Sequence, residues 1–235
     1  MIAYDRDGFI FLSSTMEKIL FFDIETVGCV AHYDELSPTM QSLRDKKCSH
    51  MKEIESYSSA ELFEKKAGIF AEFGKIICIS CGYWSDQQQS FITKSYSGDD
   101  EKTILTEFIT MLDQLSTYIL CGHNSKEFDI PYVCRRAIIH GITLPSLLNL
   151  QNKKPREVQH KDTMEMWSFG DRKNFTSLWL LCEILHVPSS KDDIDWSQIH
   201  HTYRHEHDIE RIATYCAKDV IATAEVYKKL SNIHL

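Results

Sequence analysis

Residues 18–28 read KILFFDIETVG: Ile19, Leu20, Phe21 and Phe22 run straight into Asp23, Ile24 and Glu25, and Gly28 closes the stretch. A short apolar run ended by glycine reads as a central strand buried on both faces. Residues two apart on a strand share a face, so Asp23 and Glu25 project side by side where the strand is expected to end. Adjacent buried anions repel, and burial would neutralise them or unfold the strand unless something cationic compensates. A divalent metal does this better than a single lysine. An isolated Asp-x-Glu also reads as a strand running out into water, and only the rest of the chain separates the two readings.

The chain has 235 residues, 43% of them hydrophobic and 11% aromatic, which suits a globular fold with a large core. No apolar run reaches membrane-spanning length and the first residues show no cleavage pattern, so the expected location is cytoplasmic, with no membrane partner. Met16 sits just ahead of the first strand, so residues 1–15 read as an extension without chemistry and 16–235 as one domain. Eight cysteines are scattered through apolar segments, as buried thiols would be. Cys78 and Cys81 form a Cys-x-x-Cys, but on a strand they would face opposite sides and could not chelate one ion. The net charge of −8 argues against a broad electrostatic grip on nucleic acid. A site that holds only a strand end and draws its positive charge from metal is compatible with it.

A charged stretch at 31–73, with helical patches near 39–47 and 59–71, reads as an insertion packed on that domain. Residues 74–84 and 90–96 are two β-rich runs separated by SDQQQ, a hairpin that extends the first strand into an antiparallel meander. Residues from Asp99 to Ser116 have helical apolar spacing with acids in the first turn, TYILCGHN reads as another buried strand, and a helix follows from about Pro131 to Gly141. VQHKDTMEMW begins as an edge strand, and two helices complete the chain. This order implies a mixed α/β sheet with helices on both faces.

Carboxylates recur in two further places. Asp129 follows the second buried strand in CGHNSKEFDIPY, where an acid ordinarily caps a helix. Tyr215 and Asp219 in TYCAKDV lie four apart, on one helix face, and the neighbouring apolar pattern puts Asp219 near the buried seam. Three segments thus each bring an acid to a partly apolar setting, which unrelated solvated faces do not explain.

FDIET, HNSKEFD and YCAKD, in this order, resemble the three motifs of the DEDD exonucleases, which have the ribonuclease H-like fold. Tyr215 four residues before Asp219, with Thr214 where the other branch has histidine, is similar to the tyrosine branch, DEDDy, to which the proofreading domains of family B DNA polymerases belong. AEFGKIICISCGYW, FDIPYVCRRAIIHGI and KDDIDWSQI resemble segments of stand-alone bacterial relatives of those domains, over roughly residues 16–232. Trp196 departs from that group, which has glycine there, so a different loop shape is expected at 192–198.

The resemblance implies a five-stranded mixed sheet and a 3′ to 5′ exonuclease that uses two divalent ions, magnesium or manganese. In the two-metal template such ions sit about 3.5 to 4 Å apart and serve both the attacking and the leaving oxygen. It further implies that Asp23 bridges the ions, that Glu25 and Asp219 complete the shell of one and that Asp129 holds the other through water. Tyr215 would orient the attacking water, since a phenol with an ordinary pKa near 10 is a poor base. Thr26, Asn124 and Phe128, which flank the motifs, are candidates for holding the terminal nucleotide, although Phe128 equally fits plain core packing. Lys153, Lys154, Arg156, Arg172 and Lys173 are weaker candidates for phosphate contacts.

The expected partner is a single-stranded 3′ end, DNA before RNA, with a polymerase or repair protein alongside. An exoribonuclease of the same fold and a non-catalytic nucleic-acid or polymerase-binding module are the alternatives. A Cys/His metal or redox protein is a third class. His201 and His205 are spaced for chelation on a helix, but their surroundings read as exposed and irregular.

Overall fold

The computed structural model describes residues 2–4, 10–12 and 17–231, apart from 52, 54, 55, 86, 155, 156, 172, 174 and 189–192. Within the expected N-terminal extension, β1 (Ile2–Tyr4) and β2 (Ile10–Leu12) pair antiparallel as a separate sheet.

The main sheet has five strands: β3 (Ile19–Gly28), β4 (Gly74–Ser85), β5 (Ser90–Ser97), β6 (Ile119–Gly122) and β7 (Lys161–Asp162), in the order β5-β4-β3-β6-β7. β3, β4 and β5 form the antiparallel meander, and β6 and β7 add parallel strands. Period-two alternation along β3 sends Leu20, Phe22 and Ile24 to one face, where they join a core with Leu105, Phe108 and Tyr132. Each such buried side chain stabilises the fold by about 1.5 to 3 kcal/mol. Phe21 and Val27 go to the other face, against Val220 and Ile212.

Two helices cover the first face. α3 (Glu101–Asp113) is capped by Asp100, whose carboxylate accepts from the Lys102 and Thr103 N–H groups, and α4 (Asp129–Ile139) follows β6. The long α8 (Ile209–Ser231), α5 (Thr163–Ser168) and α6 (Leu178–Leu185) form the second layer. α8 meets β3, β4 and β5, while α6 packs on α8. Glu101 ties α3 to the sheet and to α4, accepting from Ile76 N at 2.7 Å and Arg136 Nε at 2.8 Å. Its fit for the helix dipole is therefore secondary to a buried ion pair.

The 31–73 stretch carries α1 (Pro38–Cys48) and α2 (Ser59–Lys66), which runs into a short 3-10 turn at Ala67–Ile69. That turn lies hard against β3. A Cβ on Gly68 would meet the Thr26 carbonyl oxygen at 2.9 Å, so only glycine permits the approach. Cys78 and Cys81 face opposite layers, Cys78 with Ile212 and Tyr215, Cys81 with Leu105 and Phe108.

Two expectations are corrected. Asp23 and Glu25 do not sit where their strand ends, because β3 continues to Gly28 and pairs with β4 from Phe21 to Gly28, with a register shift between Glu25 and Thr26. What ends beside them is β6, which pairs only with Ile19 to Phe21. Helix α4 begins at Asp129, two residues before Pro131, and its N-terminal flank Phe128 makes no side-chain cap.

Candidate active site

Because β6 stops beside Phe21, the next backbone donors on that edge of β3 lack a strand partner. The carboxylate of Asp129 fills this gap: Oδ1 accepts from Ile24 N at 3.2 Å. Asp129 thus bonds across to β3, which is not the helix-capping role that an acid at this place ordinarily takes. Its carboxyl is pushed up to about 7, chiefly by burial.

Asp23 and Glu25 sit on the β3 face covered by α8, whose Tyr215, Cys216 and Asp219 come down over them. Burial raises Glu25 well above the usual carboxylate range, with the Asp23 and Asp219 charges adding to it. Asp23 is raised likewise by burial, then by Asp129 and Asp219. Tyr215, buried beneath the same anions and hydrogen-bonded to Asp219, is displaced far upward from its ordinary value, first by burial. Its phenol is therefore neutral at any physiological pH.

One cleft of about 1080 Å³ is lined by Asp23, Glu25, Thr26, Asn124, Phe128, Asp129, Tyr215 and Asp219. Eight residues named from widely separated motifs are thus brought together. Phe128 satisfies both of its readings: its ring lies 5.3 Å from that of Tyr132 beside the core and still lines the cleft. Thr26 spends its hydroxyl on the Gly68 carbonyl at 2.7 Å, so only its backbone remains for other contacts. Asn124 adopts φ +61, and its buried Oδ1 has no hydrogen-bond partner among the described residues. Lys153 lies instead on a neighbouring cavity of about 420 Å³ that shares Asn124. Lys154 and Lys173 line neither cavity, and Arg156 and Arg172 fall outside the described residues.

Two contributors escape the motif reading. Cys216 places its thiol 3.5 Å from Asp23 Oδ2, and among the described residues Asp23, Glu25 and Cys216 form a group whose ligand atoms lie within 4.8 Å of one another. The helical spacing of Cys216 to Asp219 carried that signal. The other is Asp162, a buried carboxylate at the N-terminus of α5 that accepts from Asn124 N at 2.9 Å and Lys126 N at 3.0 Å as well as from Met164 and Glu165. It shapes the loop that presents Asn124. Asp162→Ala orphans those donors and is expected to cost about 2 to 3 kcal/mol in urea unfolding. An unchanged midpoint would refute this assignment.

His200, His201 and His205 line the same cleft, with the His201 and His205 rings 5.0 Å apart. They follow an irregular path, as expected: after the short α7 (Ile199–His201) the chain makes a π-helical turn over Thr202–Glu206.

The chain belongs to the family described as "Predicted 3'-5' exonuclease related to the exonuclease domain of PolB", which matches residues 69–234. Asp129, Tyr215 and Asp219 lie within the match, and Asp23 and Glu25 precede it. Among solved structures, the chain is similar to the family B DNA polymerase from the hyperthermophilic archaeon Pyrobaculum calidifontis, with a TM-score of 0.59 and 15% identity. That likeness covers 91% of this chain and 24% of the polymerase, and it identifies the mixed sheet as ribonuclease H-like. No curated protein sequence matches the chain. Among the described residues, no helix is long and apolar enough to cross a membrane.

Proposed function

We propose that this chain is a metal-dependent 3′ to 5′ exonuclease that removes nucleotides from single-stranded ends, with Asp23, Glu25, Asp129 and Asp219 holding two magnesium or manganese ions. The observation that carries this reading is the meeting of all four carboxylates with Tyr215 in one cleft. The donor set fits such ions. Its acids are oxygen ligands, and Asp23, Glu25 and Asp129 are displaced upward first by burial and then by neighbouring negative charge, both of which a cation there would offset. Bound at these residues, the ions supply Lewis acidity toward a water and the phosphoryl oxygens.

The side chains contribute the rest. Asp129 keeps Oδ1 on Ile24 N, which fixes its plane and leaves Oδ2 as a donor atom. Tyr215 stays protonated and so positions water by hydrogen bonding; it does not take the proton. The unpartnered Oδ1 of Asn124 suits a donor on the terminal nucleotide, and the Phe128 ring suits its base. Thr26 would meet the 3′ hydroxyl through its backbone. Kinship with the exonuclease domain of a DNA polymerase favours DNA as substrate, and polymerases or repair proteins as the source of such ends.

A 5′-labelled single-stranded oligonucleotide, incubated with the protein and magnesium or manganese, is expected to shorten stepwise from its 3′ end. DNA should be degraded faster than matched RNA. Tyr215→Phe should lower kcat about 10²-fold with KM little changed, the signature of a mispositioned water. An oligonucleotide left intact with either metal would sink the reading.

A further inference from the structure

The cleft extends past the carboxylates to a wall built from two remote segments: Tyr57, Lys65 and Lys66 from the 31–73 stretch, where Glu64 and Glu53, the latter 3.7 Å from Lys66 Nζ, also line it, and Trp196 from the turn before α7. Trp196 is 59% exposed and Tyr57 38% exposed, a poor use of two large rings if packing were their task. Each carries a cation on its face, Lys66 Nζ at 5.8 Å from the Trp196 ring and Lys65 Nζ at 4.7 Å from that of Tyr57. The Trp196 turn is also held firmly. Asp195 Oδ1 accepts from Ser197 N at 2.8 Å, Asp195 N donates to Gln198 Oε1 at 3.0 Å, and Ile194 and Ile199 are buried on either side in the core with Val27 and Tyr215. The anchored turn holds the indole in the cleft.

We propose that Trp196 and Tyr57, flanked by Lys65 and Lys66, form a stacking subsite for bases of the single strand upstream of the scissile phosphate. The assignment rests on the exonuclease reading above and adds to it that residues 31–73 supply half of the grip. Aromatic faces interleaved with cations match single-stranded nucleic acid, whose bases stack while its phosphates pair with lysine. Stacking matters more here than in a basic protein, because the net charge of −8 repels the strand and the grip has to be local. The wall is continuous with the pocket of acids, so a strand whose 3′ end reaches Asp23 has this surface within its path.

The test compares two substrates, an oligothymidylate and the p-nitrophenyl ester of thymidine 5′-monophosphate, which presents a single nucleotide. Trp196→Ala is expected to lower kcat/KM for the oligonucleotide about tenfold, through KM. It should leave ester hydrolysis unchanged, and Trp196→Phe should restore most of the loss. In EDTA, oligothymidylate should quench tryptophan fluorescence of the wild type, and Trp196→Ala should abolish the quench. An equal loss on both substrates, or none on the oligonucleotide, overturns the subsite while leaving the exonuclease reading intact. Failure of the wild type to cleave either substrate sinks that reading and the subsite with it.

Discussion

Asp23→Asn is expected to abolish nuclease activity and, in EDTA at neutral pH, to raise the melting temperature. The two effects share one cause. Asp23 shares the cleft with Asp129 and Asp219, and its carboxyl is held well above the ordinary range by burial and by their charges. Replacing it with the neutral isostere removes repulsion from the folded state and keeps an oxygen for the weak Cys216 contact at 3.5 Å. The same change removes the anionic donor proposed to bridge both ions. A loss of at least about 10³-fold in kcat, equal to about 4 kcal/mol of barrier, is the expected scale. Oligonucleotide turnover with manganese and a thermal melt in EDTA check it together. Stability that falls in Asp23→Asn without metal would show that the carboxylate is satisfied by the fold, and the metal reading would lose its basis.

The metal-free protein should also lose stability as the pH rises. Glu25 and Asp23 are raised well above their usual values and Asp129 to about 7, all chiefly by burial. Each therefore binds its proton more tightly folded than unfolded. Stability is then greatest below the ordinary carboxylate values near 4 and falls through the interval up to about 7 and beyond, because the unfolded chain ionises there while the folded acids still hold their protons. The melting temperature should therefore be lower at pH 8 than at pH 5, by about 2 to 4 °C for each kcal/mol lost. Magnesium or manganese should restore most of it at pH 8 and little at pH 5, because ligands must be deprotonated to bind. Melts at the two pH values, with and without metal, measure this directly. A flat profile in EDTA would refute the clustered, desolvated acids.

Much of this architecture is local in origin. The alternation of Leu20, Phe22 and Ile24 with Phe21, Asp23 and Glu25 is a period of two, and a strand with both faces covered follows from it. The four-residue interval from Tyr215 to Asp219 puts both on one face of α8 for the same kind of reason. Asp162 was hidden because a buried carboxylate at a helix start looks in sequence like any other cap, and only its bonds to the 123–126 loop distinguish it. Cys216 was hidden by its neighbours, scattered thiols that do pack as apolar groups.

From residue order and spacing came the main strands and helices and the faces they bury, since these depend on the geometry of neighbours along one helix or strand, while the resemblance of three motifs to a known family, added to that spacing, singled out the acids. Tertiary structure decided where β6 stops, and hence that Ile24 N is left for Asp129, a partner 105 residues away. It likewise decided that Thr26 holds the Gly68 turn and that Lys66 reaches Trp196 across the cleft. Such pairings are set by how whole layers pack, and no periodicity along the chain encodes a contact between segments that meet only after folding.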